Sequence, residues 1–127
     1  MLRPARAPAT VIGTQGRGLR VTSSDYVPPT LRLDQPSDST IAVSGELDMA
    51  SAPQLAAAIE QIAGRGQNDI VLDLSELRFC DSSGLSVFVQ AHRDLRAAGG
   101  GLTLRNPSER LLMLLATTKL DDELNID

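Results

Sequence analysis

The chain has 127 residues, 42% of them hydrophobic and only 2% aromatic, which is enough for one aliphatic core but not for two. The net charge of −4 is unevenly spread, because residues 1–30 carry four arginines and one aspartate while the rest carry 8 basic and 15 acidic groups. An acidic body disfavours nucleic acid as the main ligand and suits a protein partner with a basic binding face.

The cysteine content and hydropathy indicate the compartment. The single cysteine, Cys80, cannot form an internal disulfide, which favours a reducing environment. No apolar stretch approaches the roughly 18–20 residues of a membrane span, and the N-terminus lacks the apolar region of a secretory signal. We therefore expect a cytoplasmic protein with no membrane association.

The first 29 residues differ in composition from the rest. They are rich in Pro, Ala, Gly, Ser and Thr and show no helical or strand periodicity. The pattern predicts a flexible tail over residues 1–29 and one domain over residues 30–127.

The first half of that domain predicts two strands and a helix. The strands span 31–34 and 40–45 and are joined by a Pro-Ser-Asp-Ser turn. Ser51 is expected to cap the helix, with Pro53 in its first turn, and glycines 64 and 66 end it.

A buried strand over 70–74 and a second helix follow. The helix shows apolar spacing at Leu85, Phe88, Val89, His92 and Leu95. A serine hydroxyl before it can accept from free backbone N–H groups, and Ser83 is the expected cap. Gly84 permits close approach of the backbone.

The C-terminal part predicts a strand over 102–105, a third helix and a short last strand at Leu124 and Ile126. Asn106 is the expected cap of the helix, with Pro107 as its first residue and Glu109 closing a capping box. Its expected apolar face consists of Leu111, Leu112 and Leu115. Alternating strands and helices predict an α/β fold: a small mixed sheet of four to five strands covered by three to four helices.

Two short motifs at this spacing, with Asn106-Pro107, carry a family resemblance. They are Gly-Glu-Leu-Asp at 45–48 and Asp-Ser-Ser-Gly-Leu at 81–85. Over about residues 30–127 the chain resembles the STAS domain family, specifically bacterial anti-sigma factor antagonists. The resemblance implies a STAS-like fold and a partner that is both an anti-sigma factor and a serine kinase. That kinase would phosphorylate Ser82, and a serine phosphatase would reverse the reaction.

The resemblance also implies the surroundings of the serine. Asp48 is expected near Ser82, so the predicted environment of the phosphorylation site is Asp48, Asp81, Ser83 and Gly84. The predicted partner-binding residues are Glu46, Leu47, Asp48, Met49 and Leu85. The three apolar members are candidates for exposed anchors, with core packing as the alternative, and core packing is favoured for Leu85 because it belongs to the apolar stripe of the second helix.

Other roles for these residues are weaker. One alternative is that Ser82 and Ser83 serve merely as helix caps. Asp48 and Asp81 without a His or Cys cluster are poor grounds for a metal site, and no phosphate-binding glycine motif occurs. We expect no cofactor, no metal and no catalytic residue.

The remaining reactive residues favour structural roles. Asp73 is expected to be a hydrogen-bonded structural carboxylate, and Cys80 a small buried hydrophobe rather than a thiol of lowered pKa. A serine hydrolase would need His92, which on a helix lies about 14 Å from the serines. A constitutive STAS binding subunit of a transporter or signalling assembly stays open as an alternative.

Overall fold

The computed structural model describes residues 30–127. They form a five-stranded mixed sheet with strand order β1-β2-β3-β4-β5, in which β1 and β2 are antiparallel and every later pair is parallel. The strands are β1 Leu31–Ser37, β2 Thr40–Leu47, β3 Asp69–Cys80, β4 Gly101–Arg105 and β5 Asn125–Ile126. The helices are α1 Ala52–Gly64, α2 Ser82–Ala97 and α3 Glu109–Thr117, and a 3-10 turn, Leu120–Asp122, follows α3. The predicted fold class is confirmed, and the predicted tail over 1–29 lies outside the described residues.

Aliphatic side chains from every helix and from the first four strands fill one core. In β1, buried Leu31 alternates with exposed Arg32, as a strand with one covered face requires. The helices contribute residues at helical spacing: Leu55, Ile59 and Ile62 from α1, Leu85, Phe88, His92 and Leu95 from α2, and Leu111 and Leu115 from α3. Leu112, which we expected on the apolar face of α3, is instead 38% exposed.

Strand β3 is longer than the predicted strand over 70–74. The pairing of β2 with β3 shifts register twice, between Ala42 and Ser44 and again between Gly45 and Glu46, and each shift adds one residue on β3. The buried positions therefore change phase, from Leu74 to Leu77. Because the alternation breaks, the sequence pattern ends the strand too early.

The predicted cap of α3 is wrong. Asn106 adopts a left-handed conformation with φ of 55°, and Ser108 is the N-cap, whose hydroxyl accepts from the Leu111 N–H at 3.1 Å. Proline disfavours the helical conformation in the residue before it, and asparagine tolerates the left-handed one. Pro107 therefore precedes the cap, and Glu109, the first helical residue, cannot close the predicted box.

The first turn of α2 lies directly against the end of β2. A Cβ atom placed on Gly84 would lie 2.6 Å from Cys80 Sγ and 2.7 Å from Leu47 Cδ2. Leu47 is fully buried and cannot move aside without disturbing the core. Gly84 therefore allows the close backbone approach that was predicted for it, and this contact requires a glycine.

We predict that Gly84→Ala lowers the free energy of unfolding by about 1–3 kcal/mol, the usual cost of overpacking a core. Gly64→Ala is the matched control, because Gly64 also lies in a helix and a Cβ there would meet nothing within 4 Å. The control should be neutral or stabilising by up to about 1 kcal/mol. Urea unfolding measures both variants, and equal stability of the two would contradict the contact.

Candidate functional site

Two loops meet at one edge of the sheet. Strands β2 and β3 are parallel and end together, with Leu47 paired to Cys80. The Asp81 N–H donates to the Leu47 carbonyl at 3.1 Å and extends this pairing by one residue. The residues after β2, including Asp48, therefore lie beside the start of α2, where Ser82 is the first helical residue.

Gly45 is required by the start of β1. Its φ is +96°, and a side chain there would collide with the Thr30 carbonyl. The next N–H, from Glu46, donates to that same carbonyl at 2.7 Å. The glycine of the Gly-Glu-Leu-Asp motif thus lets β1 begin against β2 and fixes the course of the chain into Asp48.

Asp48 holds the turn that leads into α1. Its Oδ1 accepts from the N–H groups of Ala50 and Ser51, each at 3.0 Å. The backbone N–H and then the hydroxyl of Ser51 are the main causes that hold the pKa of Asp48 below its ordinary value of 3.8. Asp48 therefore presents a carboxylate that stays ionised at neutral pH.

Ser51 occupies the predicted N-cap position of α1, but its side chain makes no capping hydrogen bond. Its hydroxyl, in a residue only 6% exposed, lies 3.1 Å from the Glu46 carbonyl and 3.0 Å from Asp48 Oδ1, and accepts from the Asp48 N–H. Ser51 therefore links the end of β2 to the turn that leads into α1. We overlooked this role, although the Asp-x-x-Ser spacing from Asp48 is a signal for such a turn.

The helix cap of α2 is Asp81, and the prediction of Ser83 is wrong. Asp81 has an extended backbone, and its Oδ1 accepts from the N–H groups of Ser83 at 2.9 Å and Gly84 at 3.3 Å. A carboxylate outcompetes a hydroxyl here because it also meets the positive end of the helix dipole. The Asp81 side chain therefore already satisfies two of the N–H groups that have no partner within the helix.

Ser82 is exposed at the start of α2. Its carbonyl accepts from the Ser86 hydroxyl at 3.0 Å, whereas no hydrogen bond within residues 30–127 engages its own hydroxyl. The hydroxyl is therefore open to another protein and is not committed to the fold.

The predicted apolar anchors divide into two groups. Leu47 is 0% exposed, so the expectation that it is an exposed anchor is wrong. Leu85 is 6% exposed, in agreement with the core packing favoured for it, and both side chains pack in the core beneath the site. Met49 is 77% exposed, and Glu46 is partly exposed. The surface of the site consequently consists of one apolar side chain among carboxylates.

The single histidine has a structural role. His92 is buried, and its Nδ1 accepts from the Leu102 N–H at 2.9 Å. It lies ten residues along α2 from Ser82, which corresponds to about 15 Å. It therefore cannot act as a base for Ser82 in this structure.

Two other groups match their predicted structural roles. Burial, and then the charge of Asp81, raises the pKa of the half-buried Cys80 thiol to about 12. The Asp73 carboxylate accepts from the Ser75 N–H at 3.1 Å, which lowers its pKa.

Across residues 30–127, no group of three or more His, Cys, Asp or Glu side chains is placed to hold a metal ion. In the same part of the chain, no helix is sufficiently long and apolar to span a bilayer.

Comparisons with known proteins agree with the geometry. The family model described as Mlab, STAS domain, matches residues 31–126. The anti-sigma-B factor antagonist of Bacillus subtilis (strain 168) is 37% identical over 90 residues, which cover 71% of this chain and 82% of that protein.

Solved structures show the same likeness. The anti-sigma factor antagonist SpoIIAA in its unphosphorylated form is similar with a TM-score of 0.63 and 25% identity, covering 76% of this chain and 87% of that one. SpoIIAA of Bacillus in the phosphorylated form gives a TM-score of 0.59 and 26% identity, covering 76% and 90%. With a family match over nearly the whole described region, the chain belongs to the STAS domain family.

Proposed function

We propose that this protein is an anti-sigma factor antagonist that binds an anti-sigma factor with serine kinase activity and so frees a sigma factor. Phosphorylation of Ser82 by that kinase ends the binding, and a serine phosphatase restores it. The protein acts in the cytoplasm as a regulatory binding protein, not as an enzyme. The observation that carries the proposal is the exposed, unengaged hydroxyl of Ser82 at the edge that also holds Asp48. Relatives with matching sequence and fold are named as such antagonists.

The electrostatics of the edge support a charge switch. A phosphate adds about −1.5 to −2 charges, and the Asp81 carboxylate already occupies the N–H groups of Ser83 and Gly84. The new charge is therefore added to that of Asp81 and not neutralised by those donors. An interface that must desolvate it loses several kcal/mol, and about 3 kcal/mol is already more than a hundredfold in affinity.

The surface of the site indicates the chemistry of the partner. Glu46, Asp48 and exposed Met49 follow one another at the end of β2, with Leu47 buried beneath them. We assign these three residues to partner binding, where an apolar pocket with basic groups around it would fit them. Leu47 and Leu85 support the site from the core.

The first prediction concerns the modification itself. Incubation of the full chain with candidate serine-kinase anti-sigma factors and Mg-ATP should add one phosphoryl group, about 80 Da by intact mass. The gain should vanish in Ser82→Ala and persist in Ser83→Ala, the matched control. A gain that survives Ser82→Ala would place the modification elsewhere, and no gain with any such kinase would favour a constitutive STAS binding subunit.

The second prediction concerns the charge at Ser82. Ser82→Asp should weaken binding to the partner by about a hundredfold, measured by titration calorimetry, because the interface must desolvate an added charge. The melting temperature should change by no more than about 4–8 °C, the equivalent of about 1 kcal/mol in a domain of this size. Ser37→Asp adds the same charge on an exposed residue at the far end of β1 and should leave affinity unchanged. Unchanged affinity in Ser82→Asp would refute the switch, and a large loss of stability would show a structural serine.

The third prediction separates the charge of Asp48 from its hydrogen bonds. Asp48→Asn keeps an oxygen acceptor for Ala50 and Ser51 but not the charge, so it should lose less stability than Asp48→Ala, which removes the acceptor. Both variants should lose about tenfold in affinity or phosphorylation rate. Since the folded pKa of Asp48 is lowered, its stabilising effect is present above about pH 4 and is lost as pH falls through the lower folded value. Full activity of Asp48→Asn would restrict Asp48 to a turn-forming role.

A further inference from the structure

Strand β3 has an edge that no other strand within residues 30–127 covers. Strand β4 pairs with β3 only as far as Asp73, opposite Arg105, whereas β3 continues to Cys80. On its other side β3 pairs with β2, where the Asp81 N–H donates to the Leu47 carbonyl. Because N–H and C=O groups of successive strand residues point to opposite sides, those of Cys80 point away from β2. Residues 74–80 therefore form an edge without a neighbouring strand in the described range, and the backbone groups of Cys80 can pair with another strand.

A groove lies between this edge and α3. It encloses about 320 Å³ and is lined mainly by apolar side chains: Leu77, Phe79, Cys80, Leu111, Met113 and Leu114. Phe79 is 48% and Met113 70% exposed, although both are large and apolar. The groove therefore combines an open strand edge with exposed apolar walls, which are the two elements of strand-addition sites.

The charge of the groove is opposite to that of the domain. Its charged lining residues are Arg78 and Arg110, and neither forms an ion pair with a residue in the described range 30–127. Beyond residue 30 the chain carries 15 acidic and 8 basic groups, so this positive pair stands on an acidic body. A ligand that recognises the groove by charge must carry carboxylates.

We propose that this groove binds an extended acidic segment of a partner protein, which adds as a strand to the edge of β3. The aliphatic side chains of the bound segment lie in the groove, and the carboxylates of the segment pair with Arg78 and Arg110. The proposal does not depend on phosphorylation of Ser82, since no part of the groove requires that hydroxyl.

The test uses a synthetic decapeptide of alternating valine and glutamate, labelled with fluorescein, and the full protein. Anisotropy should show saturable binding, and amide NMR shifts should concentrate at residues 77–80 and 110–117. The same peptide with lysine for glutamate should bind at least about tenfold more weakly. N-methylation of alternate residues should abolish binding in one register and spare it in the other, because only one set of N–H groups faces β3.

Two variants of α3 provide a matched comparison. Met113→Glu places a carboxylate in the groove and should weaken peptide binding by at least about tenfold, whereas Ala116→Glu adds the same charge on an exposed residue outside it and should have little effect. Both positions are exposed, so both variants should fold.

Several outcomes would overturn the proposal. They are shifts concentrated elsewhere, equal weakening by the two variants, and binding that tolerates N-methylation in both registers. Protection of the Cys80 amide from hydrogen exchange in the free protein would show the edge already covered. A second copy is then the occupant if protection rises with protein concentration, and residues 1–29 of the same chain if it does not.

Discussion

The contact between Leu47 and the first turn of α2 organises this end of the molecule. Leu47 ends β2, and Gly84 lets α2 start directly against it, with Cys80 on the same side. Because Leu47 is fully buried, its neighbours Glu46 and Asp48 are left at the surface, beside the helix that begins with Ser82. The two sequence motifs are thus the two halves of one packing contact, and a change in either half displaces the charges relative to the serine.

The capping of α2 by Asp81 has a consequence for signalling. If the N–H groups of Ser83 and Gly84 were free, a phosphate on Ser82 could fold back onto them and part of its charge would be hidden from a partner. Since the Asp81 carboxylate holds those groups, the phosphate proposed for Ser82 would find them occupied. The cap stabilises the helix and, under the proposed function, would also leave the added charge exposed to other proteins.

Fold class and the approximate helices could be predicted because aliphatic periodicity decides them, and the two motifs mark the end of β2 and the start of α2, which the pairing of β2 with β3 brings to one edge. The errors arose where several residues compete for one local role. Asp81 outcompetes Ser83 as a cap, and Ser108 replaces Asn106 because Pro107 excludes a helical start there. Leu47 looked like an exposed anchor because short motifs do not show which side chain faces the core.

Strand β3 connects the two surfaces of the domain. It extends seven residues beyond its last pair with β4, about 23 Å at the usual rise per residue. On the β2 side this extension delivers Asp81 and Ser82 to the edge that holds Asp48. On the other side it leaves an open strand beside α3, because β4 ends at Arg105. The extension of β3 beyond β4 therefore borders both surfaces, since its end leads into Asp81 and Ser82 and its free edge forms one wall of the groove.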